Sequence, residues 1–458
     1  MNMKFINTTK NTVQIDDIGL SVEYQNDTPQ EIDTELVKKS LAFQKMVSMG
    51  CFRVVEVSDE RIEKNLFKVS QRAVFQEPIV PERGKSGSKT ETIIRGHFYD
   101  ASGYAKVNRN LALTLYRKGV CVEIDPVTIR GNCLNEIEAK IMSVFRRPVG
   151  KDAIQIDSVI PTQAKPLDGN YNILYTTAES SGVPNQFVKA ANQYNELWVT
   201  SSFSARSFID SGYNGKVTVV HPVVNPNLYN PQVQSCEFRP GLRSFSFLSV
   251  QTWGYRKGSE VLLRAFCDAF TNKDDVSLVL LISESSRTQQ SKIKEEVGKI
   301  LSEYPCKPHI LISHKGIPEY QMPSFYKSFN AFVLPSRGEG FGLPYCEAAL
   351  CGLPVIATKY GGSLDFLDEN NSYLVDVDGF EIAEKGKTGI HYWDGQRFPK
   401  LGGEFISGLS DSLRLVASDK NLNSRKAALL RSKVIDMFSG EKTGKQTKEI
   451  VDKIWEAR

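Results

Sequence analysis

The sequence lacks any long apolar run: its greasiest stretches, such as Val276 to Ile282, are of strand length, far short of the ~20 residues a membrane-spanning helix needs. It also lacks a Cys-x-x-Cys pair. Its eight cysteines (51, 121, 133, 236, 267, 306, 346 and 351) are scattered, which fits reduced buried thiols better than a disulfide framework or a zinc ribbon. The five histidines (97, 221, 309, 314 and 391) show no two-His helical spacing, so no transition-metal site is expected. Charge of one sign is missing too: 57 Lys and Arg against 53 Asp and Glu leave only +4, too little for a strong field toward DNA or anionic lipid. Residues 1–11 carry Lys and Asn where a signal peptide has an apolar core, so a cytoplasmic location is expected.

A chain of 458 residues with 41% hydrophobic and 24% charged residues has the composition of a globular protein of two or three domains. Residues 1–75 read as a small α+β accessory module, with strands over Val13–Tyr24 and Phe52–Val57 and a helix over Glu31–Met49. The Pro-, Gly-, Ser- and Lys-containing stretch 76–91 reads as a linker. Residues 92–235 alternate strand and helix patterns, with strands near 92–97, 120–125, 171–176, 196–200 and 216–221. A helix over 103–118 aligns Tyr104, Val107, Leu111 and Leu115 and stops at Gly119. After a seam at Pro231–Arg243 the alternation restarts over 240–440, with strands near 245–250, 276–283, 308–313, 330–334 and 354–358. The fold class is therefore α/β: two Rossmann-like domains facing across a cleft, plus the N-terminal module. Ligands of such sheets bind outside the carboxyl ends of the strands.

Two short patterns are set aside. Gly84-Lys85-Ser86 has Ile79 where a P-loop needs its first glycine, and Asp376-Val377-Asp378 is a spacing that chance supplies in most chains. No metal is expected.

The informative segment is Pro335-Ser336-Arg337-Gly338-Glu339-Gly340-Phe341-Gly342-Leu343-Pro344-Tyr345-Cys346-Glu347, which follows the apolar strand Ala331–Leu334. Strand, glycine loop and helix is the geometry of a phosphate or nucleotide site. Gly338, Gly340 and Gly342 let backbone approach a ligand, Pro344 suits a first helical turn, and the helix start offers amides and a positive dipole end. Glu339 and Glu347, with seven residues between them, can point into one pocket from different depths, where a carboxylate accepts from adjacent sugar hydroxyls. Spacing alone leaves the alternative that Glu339 caps the helix and Glu347 is solvated.

The run Phe332–Asp376, including GEGFGLPYCEAALCGLPVIAT and GGSLDFLDENNSYLV, resembles the donor-binding core of glycosyltransferase family 4, retaining enzymes of GT-B fold. The resemblance implies that Glu339 contacts the donor sugar, that the loop at Gly340, Phe341, Gly342 and Leu343 holds it, and that Glu347 binds the ribose. Upstream, Phe247–Gly258 resembles the family's diphosphate-binding turn, which makes Arg256 and Lys257 the basic pair. The usual Arg after that strand is replaced by Gln251-Thr252. In the first domain His97–Tyr104 resembles the glycine loop facing donor and acceptor, with Gly103 on the donor side and His97 and Asp100 toward the acceptor. Relatives commonly carry a histidine near 176–179; this chain has none, and Glu179 is the acceptor-side candidate. The family's last helix commonly crosses back to the first domain, a role open to residues 441–458.

The resemblance implies transfer of a sugar from a nucleotide-diphosphate sugar to an acceptor hydroxyl, a glycan or polysaccharide precursor being favoured, with retention and without a metal or other cofactor. Rival readings are an epimerase of the same fold, a non-catalytic nucleotide-sugar-binding protein, and a transferase acting on hydroxylated DNA bases. The last rests on Lys106, Arg109, Arg117, Lys118, Arg146 and Arg147.

Overall fold

The computed structural model describes residues 90–128, 142–143, 145, 148–236, 241–282, 286–314 and 316–458, together with the backbone of five strands nearer the N-terminus. The chain divides into two compact units, residues 1–83 and 84–458.

In the first unit β1 (Asn2–Asn7) pairs antiparallel with β4 (Gln30–Asp33) and β5 (Phe52–Val57), while β2 (Val13–Ile15) and β3 (Leu20–Val22) form a hairpin. The helix expected over Glu31–Met49 does not begin where its sequence pattern does. Residues 30–33 are extended because they pair with Asn2–Phe5, a strand that the alternation of apolar residues did not announce. The remainder of that stretch, like most of the expected linker, lies outside the described residues.

The second unit holds two parallel sheets. The first orders its strands β7-β6-β8-β9-β10-β11: β6 (Glu91–Gly96), β7 (Cys121–Pro126), β8 (Ile154–Ser158), β9 (Asn172–Thr176), β10 (Glu196–Val199) and β11 (Val217–Val219). Strand β6 starts at Glu91, the last residue of the stretch expected to be linker, because its backbone already pairs with Cys121. Strand β8 is missed by the sequence pattern. All five of its residues are buried, Gln155 and Asp157 among them, and its polar side chains look exposed only until their internal partners are known: Tyr194, Lys165 and each other. Helix α1 (Gly103–Arg117) is capped by Ser102, whose hydroxyl accepts from the Ala105 N–H, and buries Val107, Leu111 and Leu115. Helices α2 (Asn185–Ala191) and α3 (Ser202–Asp210) follow.

The second sheet runs β14-β13-β12-β15-β16-β17: β12 (Phe245–Gln251), β13 (Val276–Ile282), β14 (His309–Ser313), β15 (Ala331–Leu334), β16 (Val355–Thr358) and β17 (Tyr373–Val375). Every residue of β13 is buried, as expected for a parallel strand covered on both faces. Around it lie α4 (Ser259–Ala269), α5 (Arg287–Ser302), α6 (Met322–Tyr326) and α7 (Leu343–Leu350). Then come a hairpin of β18 (Phe380–Ile382) and β19 (Arg397–Pro399) and helices α8 (Gly403–Ser418), α9 (Lys420–Phe438) and α10 (Lys442–Glu456). Helix α10 leaves the second domain: Val451 and Ile454 join the core made by Ile94, Leu111 and Leu115 of the first, and the Thr90 hydroxyl donates to Asp452 at 2.6 Å. At the end of α9, Phe438 meets Phe341, Phe366 and His221, with centroids 4.9, 5.4 and 5.0 Å away.

In the second sheet the strand order reverses between β12 and β15. That crevice is where an open α/β sheet takes its ligand, and the two segments singled out in the sequence, 252–258 and 335–342, are the loops that leave those two strands.

Candidate active site at the switch point

Strand β12 passes into a single 3₁₀ turn, Tyr255–Lys257, closed by Gly258 in the left-handed region at φ 65°. A β-carbon at Gly258 would also run into the carbonyl of Pro335, so the turn needs glycine for two independent reasons. The turn is bolted to the loop after β15: Arg337 N–H and the Ser336 hydroxyl donate to the Arg256 carbonyl at 2.6 and 3.1 Å, and the buried Arg337 guanidinium donates to the Tyr255 carbonyl at 2.6 Å.

These bonds bring four charged side chains together. Lys257 Nζ lies 2.5 Å from Glu339 Oε1. Arg256 lies 3.7 Å from the same oxygen, 3.1 Å from Glu179 Oε1 across the cleft, and donates to the Gly338 carbonyl at 2.7 Å. Glu339 is buried, yet its carboxyl sits below its usual range; burial pushes it up, and Lys257 and Arg256 together outweigh that. Lys257 responds in the opposite sense, pulled down by burial and by the neighbouring Arg256 more than Glu339 holds it up. Arg256 has a second carboxylate in Glu179, whereas Lys257 has, among the described residues, Glu339 alone within ion-pair distance and shares it with Arg256. An additional anion between Arg256 and Lys257 would favour the charged form of that lysine.

Glu347 lies deeper, on α7, and is likewise buried. Lys106, from α1 of the first domain, is ion-paired to Glu347 Oε1 and at 2.9 Å to Glu319 Oε2. Tyr326 donates to Glu347 Oε2 at 2.9 Å, and Tyr229 donates to Glu319 at 2.6 Å. Glu347 is pushed up by burial, with Lys106 opposing and Glu319 reinforcing the rise. Lys106 loses to burial but gains more from the two carboxylates, so it stays charged.

Neither glutamate follows the alternative left open by spacing. Glu339 does not cap α7, since Gly342 occupies the N-cap position at φ 96°, and Glu347 is not solvated. The glycines need a correction. Gly338 and Gly340 are expected from the sequence to make room for a ligand, but a β-carbon on Gly338 would collide with the Glu179 carbonyl and one on Gly340 with the Thr177 hydroxyl. Their immediate neighbour is the loop after β9. The Gly340 carbonyl accepts from Ser201 at 2.6 Å and Thr200 at 3.1 Å, so the glycines let the two domains close onto each other. The Phe341 ring is committed to the Phe438 cluster, which leaves only its backbone for a ligand, and Leu343 packs against the cores of both domains.

On the first-domain side, Gly103 starts α1 with open space where a β-carbon would sit. His97 Nδ1 lies 3.0 Å from Asp100 and Nε2 3.2 Å from Gln163. Asp100 also accepts from Ser102 N–H at 2.8 Å and is held low: burial raises it, and Ser102 and His97 together lower it further. Glu179 thus joins the basic turn, whereas His97 and Asp100 form a separate dyad tied to Gln163. Of the cations behind the DNA reading, Lys106 is consumed by Glu319 and Glu347, Arg109 donates to the Phe98 and Asp100 carbonyls, and Lys118 pairs with Glu441. Arg146 and Arg147 lie outside the described residues. Asp376 pairs with Lys359 and Asp378 accepts from Phe405 N–H. Sequence reasoning missed Glu319, Tyr229 and Tyr326, and saw Lys106 only as surface charge. The one available signal for Lys106 was its position, a turn into the helix that follows the first-domain glycine loop.

Residues 244–387 match the family model described as "Glycosyl transferases group 1". In three dimensions the chain superposes on sucrose-phosphate synthase from Thermosynechococcus elongatus with a TM-score of 0.59 at 14% identity, covering 81% of this chain and 100% of that one. Anabaena HepE in complex with UDP and glucose gives 0.55 at 13% identity, covering 80% of this chain and 100% of that one. The fold is GT-B. In sequence, a GDP-mannose-dependent alpha-(1-6)-phosphatidylinositol monomannoside mannosyltransferase of Mycolicibacterium smegmatis is 26% identical over 134 residues, 28% of this chain and 33% of that protein. Sucrose synthase 2 of Tulipa gesneriana is 25% identical over 203 residues, 39% of this chain and 24% of that protein. The chain thus spans a third or less of these two curated relatives. Between its two sheets Arg256, Lys257 and Glu339 of the second domain meet Glu179 of the first.

Proposed function

We propose that this protein is a retaining, metal-independent glycosyltransferase of family 4 that moves a sugar from a nucleotide-diphosphate donor to an acceptor hydroxyl on a glycan or polysaccharide precursor. The carrying observation is the convergence, at the switch point of the second sheet, of two crowded cations with the buried carboxylate of Glu339 and, from across the cleft, the carboxylate of Glu179. Arg256 and Lys257 take the donor diphosphate and stabilise the charge that grows on it as the glycosidic bond breaks. The diphosphate also relieves Lys257, so donor binding is accompanied by proton uptake where that lysine is partly neutral. Glu339, its partners drawn toward phosphate, accepts from the donor sugar hydroxyls; Glu347 accepts from the ribose. The departing phosphate oxygen takes the acceptor proton, so no separate protein base is required, and the two side-chain cations supply the charge a metal supplies elsewhere. The UDP-glucose and UDP complexes of the structural neighbour HepE and the GDP-mannose dependence named for the mycobacterial relative support a nucleotide-sugar donor.

The test is a screen of UDP-, GDP- and ADP-sugars by thermal shift. One nucleotide class at 100 times its Kd should add about 2.7 kcal/mol of stability. Turnover should then be lost in Lys257→Met and Glu339→Gln without loss of fold, the product should keep the donor's anomeric configuration by NMR, and a chelator should leave the rate unchanged. Near-normal turnover by either variant would remove the assignment.

A further inference from the structure

Glu347 has an unusual setting for a group that must accept hydrogen bonds. It is buried, and a second, partly buried carboxylate, Glu319, is close enough for one ammonium to bridge both. Two carboxylates that share one largely desolvated site disfavour each other's ionisation unless a cation lies between them. The cation they have does not belong to their own domain: Lys106 projects from α1, across the cleft.

We propose that Lys106 is a positioning residue that acts through Glu347: on cleft closure the first domain delivers an ammonium that keeps the Glu347 carboxylate ionised and aimed as an acceptor for the donor's ribose hydroxyls. The inference rests on the nucleotide-sugar reading of the site. The division of labour follows from the atoms. Lys106 and Tyr326 bind one oxygen each of Glu347, which fixes the carboxylate rotamer, and each carboxylate oxygen keeps a second lone pair. An ionised Glu347 can then accept from vicinal hydroxyls, whereas a protonated one turns an acceptor into a donor. The titratable and charged groups around the carboxylate are Lys106 from α1, Glu319 and Tyr326 from α6 and the turn before it, Tyr229 from the interdomain segment, and Cys346 and Cys351 on and after α7. Arg109 acts on Glu319 from one turn further along α1. Lys106 is the only cation among these that touches Glu347, and burial and Glu319 both push that carboxyl up once it is removed. Since Lys106 and Glu347 sit on different domains, the carboxylate is fully prepared only in the closed molecule.

The experiment is infrared spectroscopy of the full chain at neutral pH without nucleotide, paired with calorimetry of UDP, GDP and ADP. Lys106→Met should show the carbonyl stretch of a protonated buried carboxyl that wild type lacks. The band should vanish in Lys106→Met/Glu347→Gln and in Lys106→Arg. No band in Lys106→Met, or a band that survives Glu347→Gln and is lost only with Glu319→Gln, overturns the proposal. In calorimetry, Lys106→Met should bind the nucleotide at least tenfold more weakly at neutral pH, with affinity recovering as pH rises, while Lys106→Arg stays near wild type. Tighter binding in Lys106→Met would show the lysine to be a competitor and also overturns it. Should Lys106→Met not fold, Glu319→Gln carries the test. It leaves Lys106 to Glu347 alone, so the acid limb of nucleotide binding should move to lower pH, and an unmoved limb counts against the proposal. If no nucleotide binds wild type while the band behaves as stated, the nucleotide-sugar reading fails and the role of Lys106 in ionising Glu347 stands.

Discussion

Gly338→Ala isolates the contribution of domain closure. Gly338 is not among the positive-φ glycines, so alanine is free of backbone strain there. The added methyl instead meets the first domain: its β-carbon would lie 2.9 Å from the Glu179 carbonyl carbon and closer still to the oxygen, with Phe398 Cε1 at 3.2 Å on another side. A backbone carbonyl cannot swing away like the tip of a long side chain, so the strain relaxes by parting the domains by about 1 Å, with the stability cost of a modest overpacking, ~1–3 kcal/mol. That movement lengthens the 3.1 Å contact between Arg256 and Glu179 and the hydrogen bonds that seat the Gly340 carbonyl on Ser201 and Thr200. Misplacement of reacting groups by ~1 Å lowers a rate by ~100-fold. Steady-state kinetics with the donor found by screening should therefore show kcat/KM down about 100-fold, while guanidinium unfolding of the same variant stays cooperative. A rate within a few-fold of wild type would mean that the closed contact between Gly338 and Glu179 has no part in catalysis.

Other outcomes follow from the same geometry. Glu339→Gln removes the buried carboxylate that Lys257 and Arg256 share, leaving Lys257 without an ion-pair partner among the described residues while Arg256 keeps Glu179, and breaking such a pair should cost about 3 kcal/mol at pH 7. Because Glu339 is held below its usual value, its ionised form contributes stability above the unfolded carboxyl's range near ~4.3, and the contribution is lost as pH falls through the folded value; urea titrations should find the gap between wild type and variant closing in that direction. Phe438→Ala empties the centre of the ring cluster beneath the loop of Phe341 and should lower unfolding free energy by about 3–5 kcal/mol in calorimetry or denaturant melts. Gly298→Ala, in the middle of α5 with nothing near the added methyl, should raise it by about 0.5–1 kcal/mol.

Much of this was legible because parallel strands buried on both faces write themselves as short apolar runs: Val276–Ile282 and Ala331–Leu334 are strands β13 and β15 to within a residue. The glutamate-flanked glycine loop and the basic turn could be found as well, since glycine, proline and spacing mark them locally. What stayed hidden depends on contacts between distant parts of the chain. Strand β8 hid behind Gln155 and Asp157, whose polarity is satisfied inside. The purpose of Gly338 and Gly340 could not be read, because the atoms that forbid a side chain belong to residues about 160 positions earlier. Lys106 looked like solvated charge for the same reason: its two carboxylate partners lie over 200 positions later, in the other domain.

The most direct test is a crystal structure of the full chain with the nucleoside diphosphate selected by the screen. The account predicts phosphate oxygens within hydrogen-bond reach of Arg256 and Lys257, with the ribose hydroxyls on Glu347 and Lys106 still paired to that carboxylate. A nucleotide seated anywhere else, or one whose phosphates face away from the Tyr255–Lys257 turn, would contradict it.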